Sequence, residues 1–166
     1  TPFTCPDMIG GGAWAYSANP DFMIEQELFV RTAQVSAFMP MMQFSWAPWE
    51  ILDDAHLQMV KKANALHNKF SDYTLKLIHE SYTSGEPIIK CLDYVDPDGK
   101  FGGVIDEFMV GEDLLVAPIV KKDVYSRIVK FPRGRWQDED GKIYLGNTEQ
   151  LFDCPIDKVL YFTRVS

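Results

Sequence analysis

The stretch from Ala37 to Trp49, AFMPMMQFSWAPW, restricts this chain more than any other. Only Gln43 and Ser45 interrupt its apolar side chains, and Pro40 and Pro48 bar one continuous helix through it. Met41-Met42-Gln43-Phe44 reads as a short strand covered on both faces, because so apolar a run offers no polar face to water. Helical patterns flank it, so the local order is helix, strand, helix. In parallel α/β folds the residues just past a strand's C-terminal end line the ligand site. Ser45, Trp46 and Trp49 fall there. The same aromatics would also serve as plain core.

Upstream, Phe3 to Ile9 has a strand pattern that ends in Asp7-Met8-Ile9-Gly10-Gly11-Gly12. A carboxylate at a strand end followed by glycines fits the acidic floor of a site, and equally a turn in which Asp7 binds nearby amides. The glycines lack the spacing of a phosphate cradle. Asn19-Pro20-Asp21 predicts a helix start, with Ile24, Leu28 and Val35 as the apolar line of a helix reaching about Ala37. Glu27 and Arg31, four apart, are either an exposed pair or a buried one fixing this helix to its neighbours. Asp53 or Asp54 caps a long helical segment that is broken near Asn68-Lys69 and stops at Gly85. The three histidines, at 56, 67 and 79, lie in these helices without the spacing of a metal pair.

After Glu86 the pattern changes. Short β-rich runs at Pro87–Tyr94, Leu114–Val116, Arg127–Phe131 and Val159–Thr163 alternate with the turn signals Asp96-Pro97-Asp98-Gly99, Pro132-Arg133-Gly134 and Asp138–Gly141. That spacing predicts a β-sandwich. Asp96 and Asp98 superficially suggest a calcium loop, but the glycine and distal glutamate are misplaced, and a turn is expected.

With 46% hydrophobic residues, the 166-residue chain has material for a packed core. A net charge of −8 without a basic stripe argues against a nucleic-acid partner. No run approaches the roughly 20 apolar residues of a membrane-spanning helix. Cys5, Cys91 and Cys154 are too far apart in sequence for a C-x-x-C site; Cys5 and Cys91, in apolar contexts, are expected as buried thiols. The residues set no oligomeric state.

Pro6-Asp7-Met8-Ile9-Gly10-Gly11, the AFMP strand with its aromatic loop, Gly85-Glu86-Pro87 and the run from Phe108 to Pro118 together resemble the C-terminal third of glycoside hydrolase family 31. Lys130-Phe131-Pro132-Arg133-Gly134-Arg135-Trp136 is similar to a P-x-G-x-W turn in the family's first C-terminal sandwich. The resemblance implies an α/β plus β architecture: residues 1–86 as the last β/α units of a (β/α)₈ barrel, and 87–166 as the proximal β-sandwich. It implies a retaining α-glycosidase acting on a carbohydrate substrate, in the secretory pathway, with no metal or organic cofactor. Asp7, Gly11, Gln43, Ser45, Trp46 and Trp49 would line the sugar pocket. Gln43-Phe44-Ser45-Trp46 stands where most members have Arg-x-His-x, and Gly11 stands in place of an aromatic; both departures point to an α-galactosidase-like branch. The two catalytic carboxylates, which need to lie about 5–5.5 Å apart in a retaining enzyme, have no matching motif here. They are expected in an N-terminal part of the same polypeptide that this chain lacks. The other reading is a carbohydrate-binding or interaction domain without catalysis.

Overall fold

The computed structural model describes residues 3–11, 18, 19, 23–99 and 101–165. Helix α1 (Gln26–Ser36) begins after an extended Glu25, whose carboxylate accepts the Leu28 amide proton at 3.0 Å. The expected cap at Asn19 is therefore not the start, and Pro20 and Asp21 lie outside the described residues. The short α2 (Pro48–Ile51) follows the central stretch. Helix α3 (Asp54–Lys69) is capped by Asp53, which accepts the His56 amide at 2.9 Å, and α4 (Ser71–Ser84) ends at a left-handed Gly85. The break falls where the sequence places it.

Beyond Gly85 come β1 (Ile89–Lys90), the single turn α5 (Leu92–Val95), β2 (Phe108–Val110), β3 (Leu114–Ala117) and β4 (Ser126–Phe131). The chain then forms β5 (Arg135–Gln137), β6 (Ile143–Leu145), β7 (Thr148–Asp153) and β8 (Leu160–Val165). The run expected to be a strand through Tyr94 keeps only two strand residues, because α5 takes the rest. The first sheet is antiparallel in the order β1-β2-β3-β8-β5-β6; β4 and β7 pair separately. This is the sandwich the turn spacing predicts.

Side chains of the six-stranded sheet alternate between two cores, as the period of two requires. Val110, Leu114, Val116 and Tyr161 face the helices, joining Phe29, Val30, Ala33, Phe38, Val60 and Leu77. Met109, Leu115, Leu160 and Phe162 face β4 and β7, joining Val129, Phe131 and Trp136. Apolar packing thus runs across the predicted boundary near Pro87. Tyr161 touches Phe38 and Phe70 at centroid distances of 5.3 Å each, pairs that add about 0.5–1.5 kcal/mol apiece to the area they bury.

A closed barrel is not evident among the described residues. What represents its expected strands is one parallel bridge, Ile9 with Phe44, made by Ile9 N–H to the Gln43 carbonyl (2.9 Å) and Ser45 N–H to the Ile9 carbonyl (3.0 Å). The central strand is covered on one face rather than two: Met42 and Phe44 pack on the helix-side core, whereas Met41 and Gln43 are exposed.

The inward face of α1 also departs from expectation. Leu28 is 63% exposed, while Glu27, Arg31 and Gln34 are buried with Phe29, Val30 and Ala33. The reason lies in the loops that α1 meets, whose carbonyl groups need donors. Arg31 Nη1 donates to the Pro155 and Lys158 carbonyls and to Gln34 Oε1, and Nη2 donates to the Val124 and Cys154 carbonyls, at 3.1–3.4 Å. Gln34 Nε2 donates to the Ile156 carbonyl at 2.7 Å, and Glu27 Oε2 accepts the Asp123 amide proton at 3.2 Å. The pair read as exposed or buried is buried.

At the β4–β5 turn, Gly134 holds φ +132, and a Cβ there would stand 2.4 Å from Arg164 Nη1. Arg164 packs over the Trp136 ring at 4.5 Å, and the indole N–H donates to the Pro132 carbonyl at 2.7 Å. Only glycine fits that turn.

A second internal charge cluster holds the β4 edge. Arg127 Nη2 donates to Glu107 Oε1 at 2.7 Å and to Asp106 Oδ1 at 3.1 Å, and Glu107 also accepts the Lys130 amide. Burial pushes the Glu107 carboxyl up to about 7 despite the opposing pull of Arg127. A carboxyl raised in the fold binds its proton more readily there than in the unfolded chain. Its contribution to stability is therefore full below about 4.5 and is lost as the pH rises through about 7. Urea unfolding of the whole protein across that window should show stability falling with rising pH, and Glu107→Gln should flatten this part of the profile. A profile identical in the variant would mean Glu107 is ionised throughout.

Candidate functional site

The parallel bridge sets the site. Because Ile9 and Phe44 run in the same direction, the residues that follow them emerge at the same end: Gly10 and Gly11 from one, Ser45 and Trp46 from the other. Asp7 and Gln43 stand just before that end on the exposed side of each segment.

Each predicted residue has a definite place. Asp7 Oδ1 accepts the Met8 amide proton at 2.8 Å, and the Gly11 amide donates to the Met8 carbonyl at 3.0 Å, which closes the turn. A Cβ on Gly11 would lie 3.4 Å from Asp7 Oδ2. Glycine there leaves the space beside the carboxylate open. Gly10 has φ +76, and a Cβ on it would meet the Phe29 ring at 2.6 Å, so its absence allows α1 to press against the strand end. Phe29 in turn stacks on Phe44 with centroids 6.1 Å apart.

Ser45 binds the Ile9 carbonyl twice, through its N–H and through Oγ, both at 3.0 Å. Its hydroxyl proton is therefore committed to the bridge, and what it can offer a sugar is an acceptor oxygen. Trp46 is half-buried, packed on the helix-side core next to Gly10. Trp49 sits in the first turn of α2 and is 72% exposed, an open aromatic face. Gln43 Nε2 donates to Cys5 Sγ at 3.8 Å.

The expectation that Cys5 and Cys91 are buried does not hold. Both Cys5 and Cys91 are exposed, and Cys154 is the buried thiol. The signal was present in the alternation: in an extended segment Cys5 shares a side with Asp7, so the two are exposed together while Thr4 and Pro6 are half-covered. The paired Asp53 and Asp54 take no part; Asp53 is a helix cap whose carboxyl is held below its ordinary value by the His56 backbone and side chain. Among the described residues no cluster of three or more His, Cys, Asp or Glu side chains could hold a metal ion.

The strand end offers a polyhydroxylated ligand one carboxylate, one amide and one hydroxyl oxygen beside an open glycine turn. Residues 85–165 match the glycosyl hydrolase family 31 C-terminal domain. The whole chain is 35% identical over 175 residues to the myogenesis-regulating glycosidase of Mus musculus, an alignment that takes in 99% of this chain and 24% of that protein. The chain belongs to glycosyl hydrolase family 31. It is also 31% identical to the SITS-binding protein of Tetronarce californica, over 91% of this chain and 20% of the relative. Among solved structures, a family 31 dextranase from Flavobacterium johnsoniae, complexed with isomaltotriose, superposes with a TM-score of 0.76 at 26% identity, covering 84% of this chain and 18% of that one. The chain thus spans a quarter or less of the length of these relatives.

Asp7→Asn keeps an acceptor for the Met8 amide and removes the charge beside Gly11. In the whole protein it should lower kcat/KM on an α-glycoside by about tenfold or more, roughly 1.4 kcal/mol of transition-state stabilisation, with little change in thermal midpoint. Unchanged activity would make Asp7 a turn residue only.

Proposed function

We propose that the whole protein is a retaining α-glycosidase of the secretory pathway, and that residues 1–86 are the last β/α units of its (β/α)₈ barrel, with the sandwich beginning at residue 87. The observation that carries this reading is the parallel Ile9–Phe44 bridge, which brings Asp7, Gly11, Gln43, Ser45 and Trp46 to one strand end. Barrel enzymes build their sites from the C-terminal ends of parallel strands. These residues would bind and orient the terminal sugar, while the nucleophile and the acid/base belong to barrel strands outside this chain. The carbohydrate is the expected partner; a nucleic-acid partner does not fit the net charge of −8.

Within the family we assign the chain to an α-galactosidase-like branch. Support comes from Gln43-Phe44-Ser45-Trp46, which offers an amide and a hydroxyl oxygen where a cation and an imidazole are usual, and from Gly11, which opens the space beside Asp7. Pocket shape and polar contacts around one sugar hydroxyl are enough to set such a preference. A second reading, ligand binding without hydrolysis, is favoured by one relative being named for what it binds.

Initial rates of the whole protein on matched aryl α-galactoside and α-glucoside decide between these readings. The expected result is a higher kcat/KM for the galactoside. A preference for the glucoside would overturn the branch assignment, and binding of either sugar with no turnover would leave the second reading standing.

A further inference from the structure

A cleft of about 580 Å³ lies apart from the strand-end site. It opens on the sandwich side, between the turn after α5, strand β4 and the β6–β7 turn, with Phe131 of the second core in its wall. The Ile9–Phe44 bridge packs on the opposite, helix-side core. Two buried rings, Phe101 and Phe131, form the floor; a Cβ on Gly99 would overlap the Phe101 ring, so the turn lies flat on it.

The walls are polar and of mixed charge. Asp96 is only 5% exposed, and its Oδ2 accepts the Arg133 amide proton at 2.8 Å. No described residue donates to Asp96 Oδ1, so this carboxylate oxygen at the cleft wall is open to a donor from a ligand. Lys130 and Arg133 also line it and enter no ion pair with a described residue. Asp98, Glu149 and the amide of Asn147 complete the rim; Asn147 holds φ +59 and is pinned by its N–H to the Phe131 carbonyl at 2.9 Å.

We propose that this cleft is a second, non-catalytic binding site for a neutral oligosaccharide. Its volume lies within the range of small-ligand sites. An anion would meet Asp96 and Asp98, and a cation would meet Lys130 and Arg133. A row of hydroxyl groups satisfies both kinds of wall, because each hydroxyl donates to a carboxylate oxygen and accepts from an ammonium, guanidinium or amide. The Asp96 carboxylate, with Oδ1 open, supplies the strongest acceptor, since a charged partner makes the stronger hydrogen bond. Such a site would hold a chain of sugars to the enzyme while its terminal residue occupies the strand-end pocket, and it does not depend on which sugar that pocket prefers.

Affinity electrophoresis of the whole protein through gels containing dextran, and separately galactomannan, tests the proposal. The wild type should be retarded by at least one polymer. Lys130→Ala/Arg133→Ala, and independently Asp98→Ala/Glu149→Ala, should weaken the apparent affinity by about tenfold or more, as expected for lost charge-assisted hydrogen bonds. Neither pair touches the strand-end site, so aryl-glycoside hydrolysis and the thermal midpoint should stay as in the wild type. Passage of the wild type without retardation in both gels overturns the proposal. So does retardation that survives in both variants, which would place the binding in the strand-end pocket.

Discussion

The guanidinium of Arg31 is the contact on which the arrangement of this molecule depends. It stands on a helix whose apolar spacing places Leu28 inward and Arg31 outside that line, and it reaches the carbonyl groups of Val124, Cys154, Pro155 and Lys158. Those carbonyls belong to the two connections that flank β4 and β8, and none of them could be left in an apolar seam without a donor. A lysine could not replace this contact, because one ammonium cannot present donors along two edges of a plane. Glu27, 3.7 Å from Arg31 Nε, balances the charge. The buried pair does not have to exceed its own desolvation cost to matter. Its effect is to fix one docking of helix on sandwich, since removing either partner would strand a charge inside.

From that docking the rest follows. With α1 held against the 154–158 connection, Phe29 reaches Gly10 and Phe44, and the Ile9 bridge is pressed onto the helix-side core. The site is then positioned by the sandwich as well as by its own strands. The six-stranded sheet carries apolar residues on both faces because it has a layer on each: helices on one, β4 with β7 on the other.

Much of this was legible in the sequence. The Asp53 cap, the break before Phe70, the Gly85 stop and the turns at Asp96, Pro132 and Asp138 are local chemistry, and local chemistry is visible in one chain. The face of α1 was not, because its inward stripe contains Glu27, Arg31 and Gln34, and their partners are backbone groups about ninety to 130 residues away: carbonyls for Arg31 and Gln34, the Asp123 amide for Glu27. A pattern of apolar spacing has no term for carbonyls that need donors. Cys5 and the open face of Met41 were missed for a related reason: burial on both faces was inferred from apolar character, whereas burial requires a neighbour on each side. Of the site, the residue types and their common strand end were legible; that Ser45 spends its hydroxyl proton on Ile9 was not.

The helices and the sandwich share one cooperative core held by Arg31. Native-state hydrogen exchange, read by peptide mass spectrometry on the whole protein, tests it through Arg31→Met. Amides in α1 and in β8 should lose protection together, on the order of a hundredfold or more, since stranding Glu27 should cost about 3–5 kcal/mol. Loss confined to α1, with β8 as protected as in the wild type, would show that the two layers unfold independently and that Arg31 does not join them into one core.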